Sequence, residues 1–371
     1  MPETQVIPPM FTQKNGAERF LSLCARSNAA LTYDDVLLVP QSSDISTREC
    51  VSTETQLKRH SLQTPLIAAN MDTVCESEMA IEMSKWGGCG VIHRYMSQEK
   101  QLTEVKIVRD AVGPDRIVAV AVGVNHADRP HITKLVAAGA NTIVVDVAHG
   151  HHRDVASLLT WIKLQEFPVE IIAGNVATQE GVKFLYDAGA DTIKIGVGPG
   201  AVCTTRSVTG HGIPQLYALA IAKEFSFLTQ GGRSFKIIAD GGIKNSGDIV
   251  KALACGADAV MIGNLFAGTR EAPGKTFFSN GGNGPGRRSK VYRGMASQEA
   301  QEQFYGNAVN APEGIIKTIP FKGEVNQIVT SLSAGIRSGL SYSGAYTPRE
   351  LYEKADWVRI SDAGLRESLT L

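Results

Sequence analysis

Three segments of this chain are copies of one short pattern: LVAAGANTIVVDV at 135–147, LYDAGADTIKIGV at 185–197 and ALACGADAVMIGN at 252–264. Each reads as the end of a helix, a glycine, then a continuous apolar strand. The glycines Gly139, Gly189 and Gly256 fall where a helix ends on a residue of positive φ, and the β-branched runs after them are those of strands buried on both faces. Such units build a parallel sheet with helices outside it. Comparable runs occur at Leu66–Asn70, Gly90–His93, Ile117–Val122, Thr142–Asp146, Glu170–Ala173, Thr192–Ile195, Lys236–Asp240 and Ala259–Ile262. Amphipathic stretches lie between most of them, near 77–86, 98–112, 130–138, 152–164, 179–188, 214–226 and 246–255. Ser246 before Asp248 and Thr178 before Glu180 have the pattern of helix N-caps with an acidic first turn. Eight strands predict a (β/α)₈ TIM barrel. A doubly wound open sheet shares the pattern, because closure leaves no mark on a single sequence.

With 371 residues, 43% hydrophobic and 20% charged, the chain can bury one large core. The expected organisation is a single barrel domain over 1–371, with an N-terminal extension at 1–30 and a hairpin and active-site flap at about 270–322. Thirty-seven basic residues balance 37 acidic ones, so no overall field draws the chain to nucleic acid or to an anionic membrane. The opening MPETQVIPPMFTQKNGAERF is polar and broken by proline, unlike a signal peptide, and no apolar run is long enough to span a bilayer. Cysteines at 24, 50, 75, 89, 203 and 255 form no CxxC pair and no metal spacing. They read as reduced thiols, and the expected location is the cytoplasm.

In a barrel, chemistry belongs to the loops after the strands, and the loops after strands seven and eight often hold phosphate. Here these are Asp240-Gly241-Gly242 and Gly263-Asn264. Glycines let backbone amides approach an anion, and the seventh loop runs into a helix N-terminus; tight turns need the same residues. After strand six comes GVGPGAVCTTR, placing Cys203 among hydroxyls in a Gly/Pro-rich loop. Thiolate is the reactive form of cysteine, and exposed amides or a cation such as Arg206 are neighbours that favour it. The other five cysteines read as packing. Asp146 ends strand four and is expected to face a ligand or a cation, with a structural salt bridge as the alternative. His149, His151 and His152 lack an accompanying carboxylate spacing and read as a solvated loop.

The segments LTYDDVLLVP, AANMDTV, AGNVAT, GPGAVCTTR, ADGGIKNSGDI, YRGM and PEG, in this order from Leu31 onward, closely resemble the inosine-monophosphate dehydrogenase and guanosine-monophosphate reductase family. The resemblance implies a Cys203 adduct at purine C2. It implies nucleotide phosphate around Gly241–Gly242, Gly263–Asn264 and Tyr292, with Asp240 also on the substrate and base contacts at Met71, Gly294 and Met295. It further implies a nicotinamide site at Asp146, Val147 and Ala148, extended by Val197 and Gly198, and a potassium ion on carbonyls of Gly198, Gly200 and Cys203. Tetramers are usual in the family, so a homotetramer is expected. The family commonly has a phosphate-binding serine where Ala201 stands; Ala201 offers only its backbone N–H.

The family divides by reaction. The dehydrogenase oxidises IMP to XMP with NAD and must hydrolyse its thioimidate, using an Arg-Tyr pair on a long flap. Between Met295 and Glu313 this chain has ASQEAQEQFYGNAVNAP, without Arg or Lys. Its Arg94-Tyr95 pair follows strand two, and VIHRYMSQEK runs straight into a helix where most dehydrogenases insert regulatory domains. The reductase converts GMP to IMP and ammonia with NADPH and needs a hydroxyl and a carboxylate, which Thr205 and Glu313 supply by motif position. AANMDTV favours the reductase; DVAHGHH, HRYMS and RISDAGLRES resemble the dehydrogenase. The reductase is the preferred reading. A binding protein on the same barrel has no need of Cys203, Thr205 and Glu313 together, and an isomerase or aldolase uses a strand lysine, for which Lys194 is the candidate. Arg287 and Arg288 read as a solvated turn.

Overall fold

The computed structural model describes residues 14–228, 233–279, 286–306 and 310–368. Eight parallel strands close into a barrel: β1 (Leu66–Ala68), β2 (Cys89–Ile92), β3 (Ala119–Val122), β4 (Thr142–Asp146), β5 (Glu170–Val176), β6 (Thr192–Ile195), β7 (Lys236–Asp240) and β8 (Ala259–Ile262). Spatial order follows chain order, and β8 returns to β1 with Val260 opposite Leu66. Closure excludes the open doubly wound sheet. Strands β2, β3, β6 and β8 are buried along their whole length, as strands wrapped by helices must be.

The helices between strands are α1 (Ser77–Lys85), α2 (Gln98–Val112), α3 (Arg129–Ala137), α4 (Arg153–Leu164), α5 (Gln179–Ala188), α6 (Gln215–Leu228) and α7 (Ser246–Ala254). In α4, Val155, Leu158, Leu159 and Ile162 are buried, the spacing that puts one stripe on the barrel. Gly139, Gly189 and Gly256 have φ of +107°, +108° and +98°, as the repeated unit requires. Thr178 caps α5 by accepting from the Gly181 amide. At α7 the cap is Asn245, whose side chain accepts from Asp248 N at 3.0 Å, and Ser246 is the first helical residue. Two adjacent capping residues compete there, and the amide oxygen takes the place assigned to the serine. Only residues 93–97 separate β2 from α2.

The N-terminal mouth of the barrel is plugged. Glu170, wholly buried, accepts the Lys58 and Arg59 amides of a small hairpin and the Thr192 hydroxyl. The C-terminal end stays open, and over it leans an antiparallel sheet of β9 (Phe277–Ser279), β10 (Arg287–Arg293) and β11 (Ile316–Pro320). Buried Lys290 anchors β10 to the chain after β8, donating to the carbonyls of Thr269, Arg270 and Ala272. Residues 1–13 of the expected extension, 280–285 of the glycine-rich hairpin and 307–309 of the flap lie outside the described residues. Among the described residues, no helix is long and apolar enough to cross a membrane.

Candidate active site

A cavity of about 460 Å³ opens at the C-terminal end of the barrel, and every site residue expected from the sequence lines it. Met71 reaches it from beyond β1, Asp146–Ala148 from the end of β4, and Val197, Gly198, Gly200, Cys203 and Thr205 from the loop after β6. Asp240–Gly242 and Gly263–Asn264 follow β7 and β8; Tyr292, Gly294, Met295 and Glu313 come from the sheet and flap.

The loop after β6 is shaped by its glycines. A Cβ on Gly196 would stand 2.1 Å from the Asp240 carbonyl oxygen, so only glycine lets β6 leave the barrel beside β7. The Cys203 amide donates to Gly200 O at 3.0 Å, closing a turn that presents the thiol. Cys203 Sγ lies 3.1 Å from Thr205 Oγ1, and that hydroxyl donates to Glu313 Oε2 at 2.8 Å. Because the threonine proton points to the carboxylate, its oxygen is free to accept from the thiol. Glu313 is held by backbone pairing: the Thr204 amide donates to its carbonyl at 2.9 Å, and Ile315 N donates to Val202 O at 3.0 Å. The structure gives Arg206 a bracing role; its Nη2 donates to Ile213 O at 2.7 Å while its stem fills the spaces beside Gly198 and Gly212.

The floor is a charge triad. Lys194, 3% exposed, donates to Asp146 Oδ1 and to Asp240 Oδ2, each at 2.7 Å. Burial opposes the charge of Lys194, but the two carboxylates outweigh it and raise its pKa. Burial likewise opposes ionisation of Asp146, and Lys194, Arg94 and Asn70 together hold its carboxyl below the ordinary range. An ammonium shared by two carboxylates at 2.7 Å has no free lone pair to attack with, which counts against the isomerase or aldolase reading of Lys194. Asn175 adds a hydrogen bond to Asp240 Oδ2 at 2.9 Å; it sits where the β5–β6 register shifts, a bulge that re-aims its side chain into the cavity.

The glycines expected to cradle a phosphate lie in the loops after β7 and β8. Gly241 and Gly242 have φ of +96° and +83°, and a Cβ on Gly263 would fall 2.7 Å from the Tyr292 hydroxyl and 3.1 Å from Met71 Sδ. Burial, with the charges of Asp240 and Cys203, pushes the Tyr292 phenol up, so it is a neutral donor.

Sequence reasoning noted the Arg94-Tyr95 pair but did not place it in the site. Both line the cavity, and the flap helix α8 (Gln298–Tyr305) docks on them. Arg94 Nη1 donates to the Tyr305 hydroxyl at 2.9 Å, and the Tyr95 ring lies 5.2 Å from that of Phe304. The usable signal was their place just past a barrel strand, the rule that selected Asp146. Of the remaining cysteines, Cys24, Cys75, Cys89 and Cys255 are buried as packing, whereas Cys50, expected to be packing too, is exposed. Desolvation pushes all four thiols up, Cys89 to about 12. His152 caps α4 and His151 packs on Phe184. No cluster of His, Cys, Asp or Glu suited to a metal occurs among the described residues.

The family model described as "IMP dehydrogenase / GMP reductase domain" matches residues 30–370. The chain is 39% identical to the inosine-5′-monophosphate dehydrogenase of Cryptosporidium parvum, covering 91% of this chain and 94% of that protein. It is 32% identical to the GMP reductase of Leishmania donovani, covering 91% and 96%. Among solved structures, a cysteine-to-alanine variant of GMP reductase from Trypanosoma brucei in complex with guanosine 5′-monophosphate superimposes with a TM-score of 0.85. It is 31% identical, over 92% of this chain and 98% of that one.

Proposed function

Since this chain belongs to the IMP dehydrogenase / GMP reductase family of oxidoreductases, we propose that it is the reductase, converting GMP to IMP and ammonia through Cys203. The observation that carries this reading is the Cys203–Thr205–Glu313 chain of contacts at 3.1 and 2.8 Å. Thr205 passes the thiol proton to Glu313, and the sulfur attacks purine C2. The same hydroxyl and carboxylate then return a proton to the 2-amino group, which leaves as ammonia. NADPH supplies the hydride that reduces C2. The C–S bond then breaks, freeing IMP and the Cys203 thiolate.

Nucleotide phosphate is assigned to the backbone amides of Gly241–Gly242 and Gly263–Asn264 with the Tyr292 hydroxyl, the purine to Met71 and Gly294–Met295, and Asp240 to the sugar side. Asp146–Ala148 with Val197–Gly198 would hold the nicotinamide half of the cofactor. Carbonyls of Gly198, Gly200 and Cys203 would hold potassium. These are uncharged oxygens of one short loop, a donor set suited to a monovalent cation, and Gly200 O keeps a second lone pair beside its bond to the Cys203 amide. A homotetramer completes the proposal.

One observation favours the dehydrogenase: the chain's Arg-Tyr pair is inside the cavity after all, against the flap. Burial disfavours the charge of Arg94, while Tyr95, Tyr305 and Asp146 raise its pKa; the pair follows β2 and meets the flap through the Tyr305 hydroxyl and the Phe304 ring. Absorbance at 340 nm decides between the two. GMP with NADPH and potassium should lose absorbance and release ammonia; NADH formation from IMP with NAD⁺ would establish the dehydrogenase instead.

A further inference from the structure

A phosphate monoester brings roughly two negative charges, yet the cradle offers it only backbone amides and a neutral phenol. The cations around it are mostly committed. Lys194 is shared by two carboxylates, and Arg206 is held on Ile213 O. Lys244 pairs with Asp34, and Lys322 donates to the carbonyls of Asn264 and Leu265 behind the β8 loop.

Lys317, exposed at the edge of the cavity and held like Arg206 by a carbonyl, differs from Lys194 and Lys244. It lies opposite Tyr292 in the antiparallel β10–β11 pair, so the two side chains share a face of the sheet, and Tyr292 is already at the cradle. Its ammonium donates to Ala201 O at 2.9 Å, which leaves two of its three protons unused. Among the described residues it has no carboxylate partner. Ala201 is an exposed residue of the loop wall whose side chain offers no hydroxyl.

We infer that Lys317 is a phosphate-binding residue, supplying from the rim the charge-assisted hydrogen bond that position 201 does not give. Lys322 complements it from behind the opposite loop. By occupying the Asn264 and Leu265 carbonyls it leaves that loop's amides for the anion, and burial lowers its own pKa to about 8. The two lysines thus come from one stretch of chain, Lys317 reaching the loop after β6 and Lys322 the loop after β8. This rests on the reading of the cradle as a phosphate site.

The test is equilibrium titration of the full chain with GMP, ribose 5-phosphate and guanosine, comparing wild type with Lys317→Met and with Lys317→Met/Ala201→Ser. Lys317→Met should bind both phosphorylated ligands about tenfold more weakly or worse and guanosine unchanged, with a shallower salt dependence. Adding the serine should restore much of the loss. Unchanged affinity, equal loss for guanosine, or no recovery with serine would overturn the inference. A wild type that takes ribose 5-phosphate but not GMP would overturn the purine reading while leaving the Lys317 comparison valid; one that takes neither would overturn both.

Discussion

Replacing Lys194 by methionine keeps the length and apolar stem of the side chain and deletes the ammonium that two carboxylates share at 2.7 Å. The lysine is 3% exposed and each aspartate side chain 21%, so water recovers little of the lost interaction. Breaking a buried pair from one side costs about 3–5 kcal/mol. At roughly 2 cal/mol/K of unfolding entropy per residue, a chain of 371 residues should then melt about 4–6 °C lower at pH 7. The pH dependence is sharper evidence than the size. In the wild type, Asp146 is depressed by its partners despite burial; its contribution is present above the unfolded pKa, about 3.9, and lost as pH falls through the folded value. Without Lys194, burial raises that carboxyl, and the folded variant gains stability as protons bind. Lys194 itself has a raised pKa, so its contribution is complete below about 10.4 and constant across acidic pH. The gap between wild type and variant, followed by scanning calorimetry, should therefore narrow from pH 7 to pH 4. Adding Asp146→Asn should recover part of the loss at neutral pH. A gap independent of pH, or a double variant no better than the single, would refute the account.

Cys203→Ser should abolish turnover while GMP still binds; normal steady-state rates would sink the covalent mechanism. Glu313→Gln, which keeps the hydrogen-bonding shape but not the charge, should slow ammonia release by about 10²-fold or more with little change in GMP affinity, measured by single-turnover quench. Gly263→Ala puts a methyl 2.7 Å from the Tyr292 hydroxyl; nucleotide binding by titration should weaken at least about tenfold with the melting temperature nearly kept, and equal loss of both would mean that the glycine serves only the fold.

The barrel was readable because its evidence is periodic. The helix-end glycine and the apolar strand recur, and β4, β6, β7 and β8 begin and end where the apolar runs do. Errors fall where tertiary contacts decide a boundary. β5 continues past Ala173 to Val176 because a register shift with β6 carries Asn175 into the cavity, and α7 is capped by Asn245 rather than its neighbour. The site was readable where a residue type is chemically unusual for its place, as Cys203 is in a glycine-rich loop. Lys317 escaped altogether, and Lys194 and Arg94 were noticed but given other roles, because a lysine in a strand or an arginine in a loop does not announce its partners. Their partners are distant in the chain, as Asp146 and Asp240 are from Lys194.

The burial of four cysteines makes this chain unusually easy to label. An electrophile reacts with thiolate that it can reach, and Cys24, Cys75, Cys89 and Cys255 are both enclosed and pushed up in pKa. That leaves exposed Cys50 and half-buried Cys203. A single Cys50→Ser exchange should give a protein in which one alkylating probe reports on one position, in the cavity beside Thr205. Nucleotide and probe would then compete for the same thiol, so protection of Cys203 from alkylation would read site occupancy without a cysteine-free background.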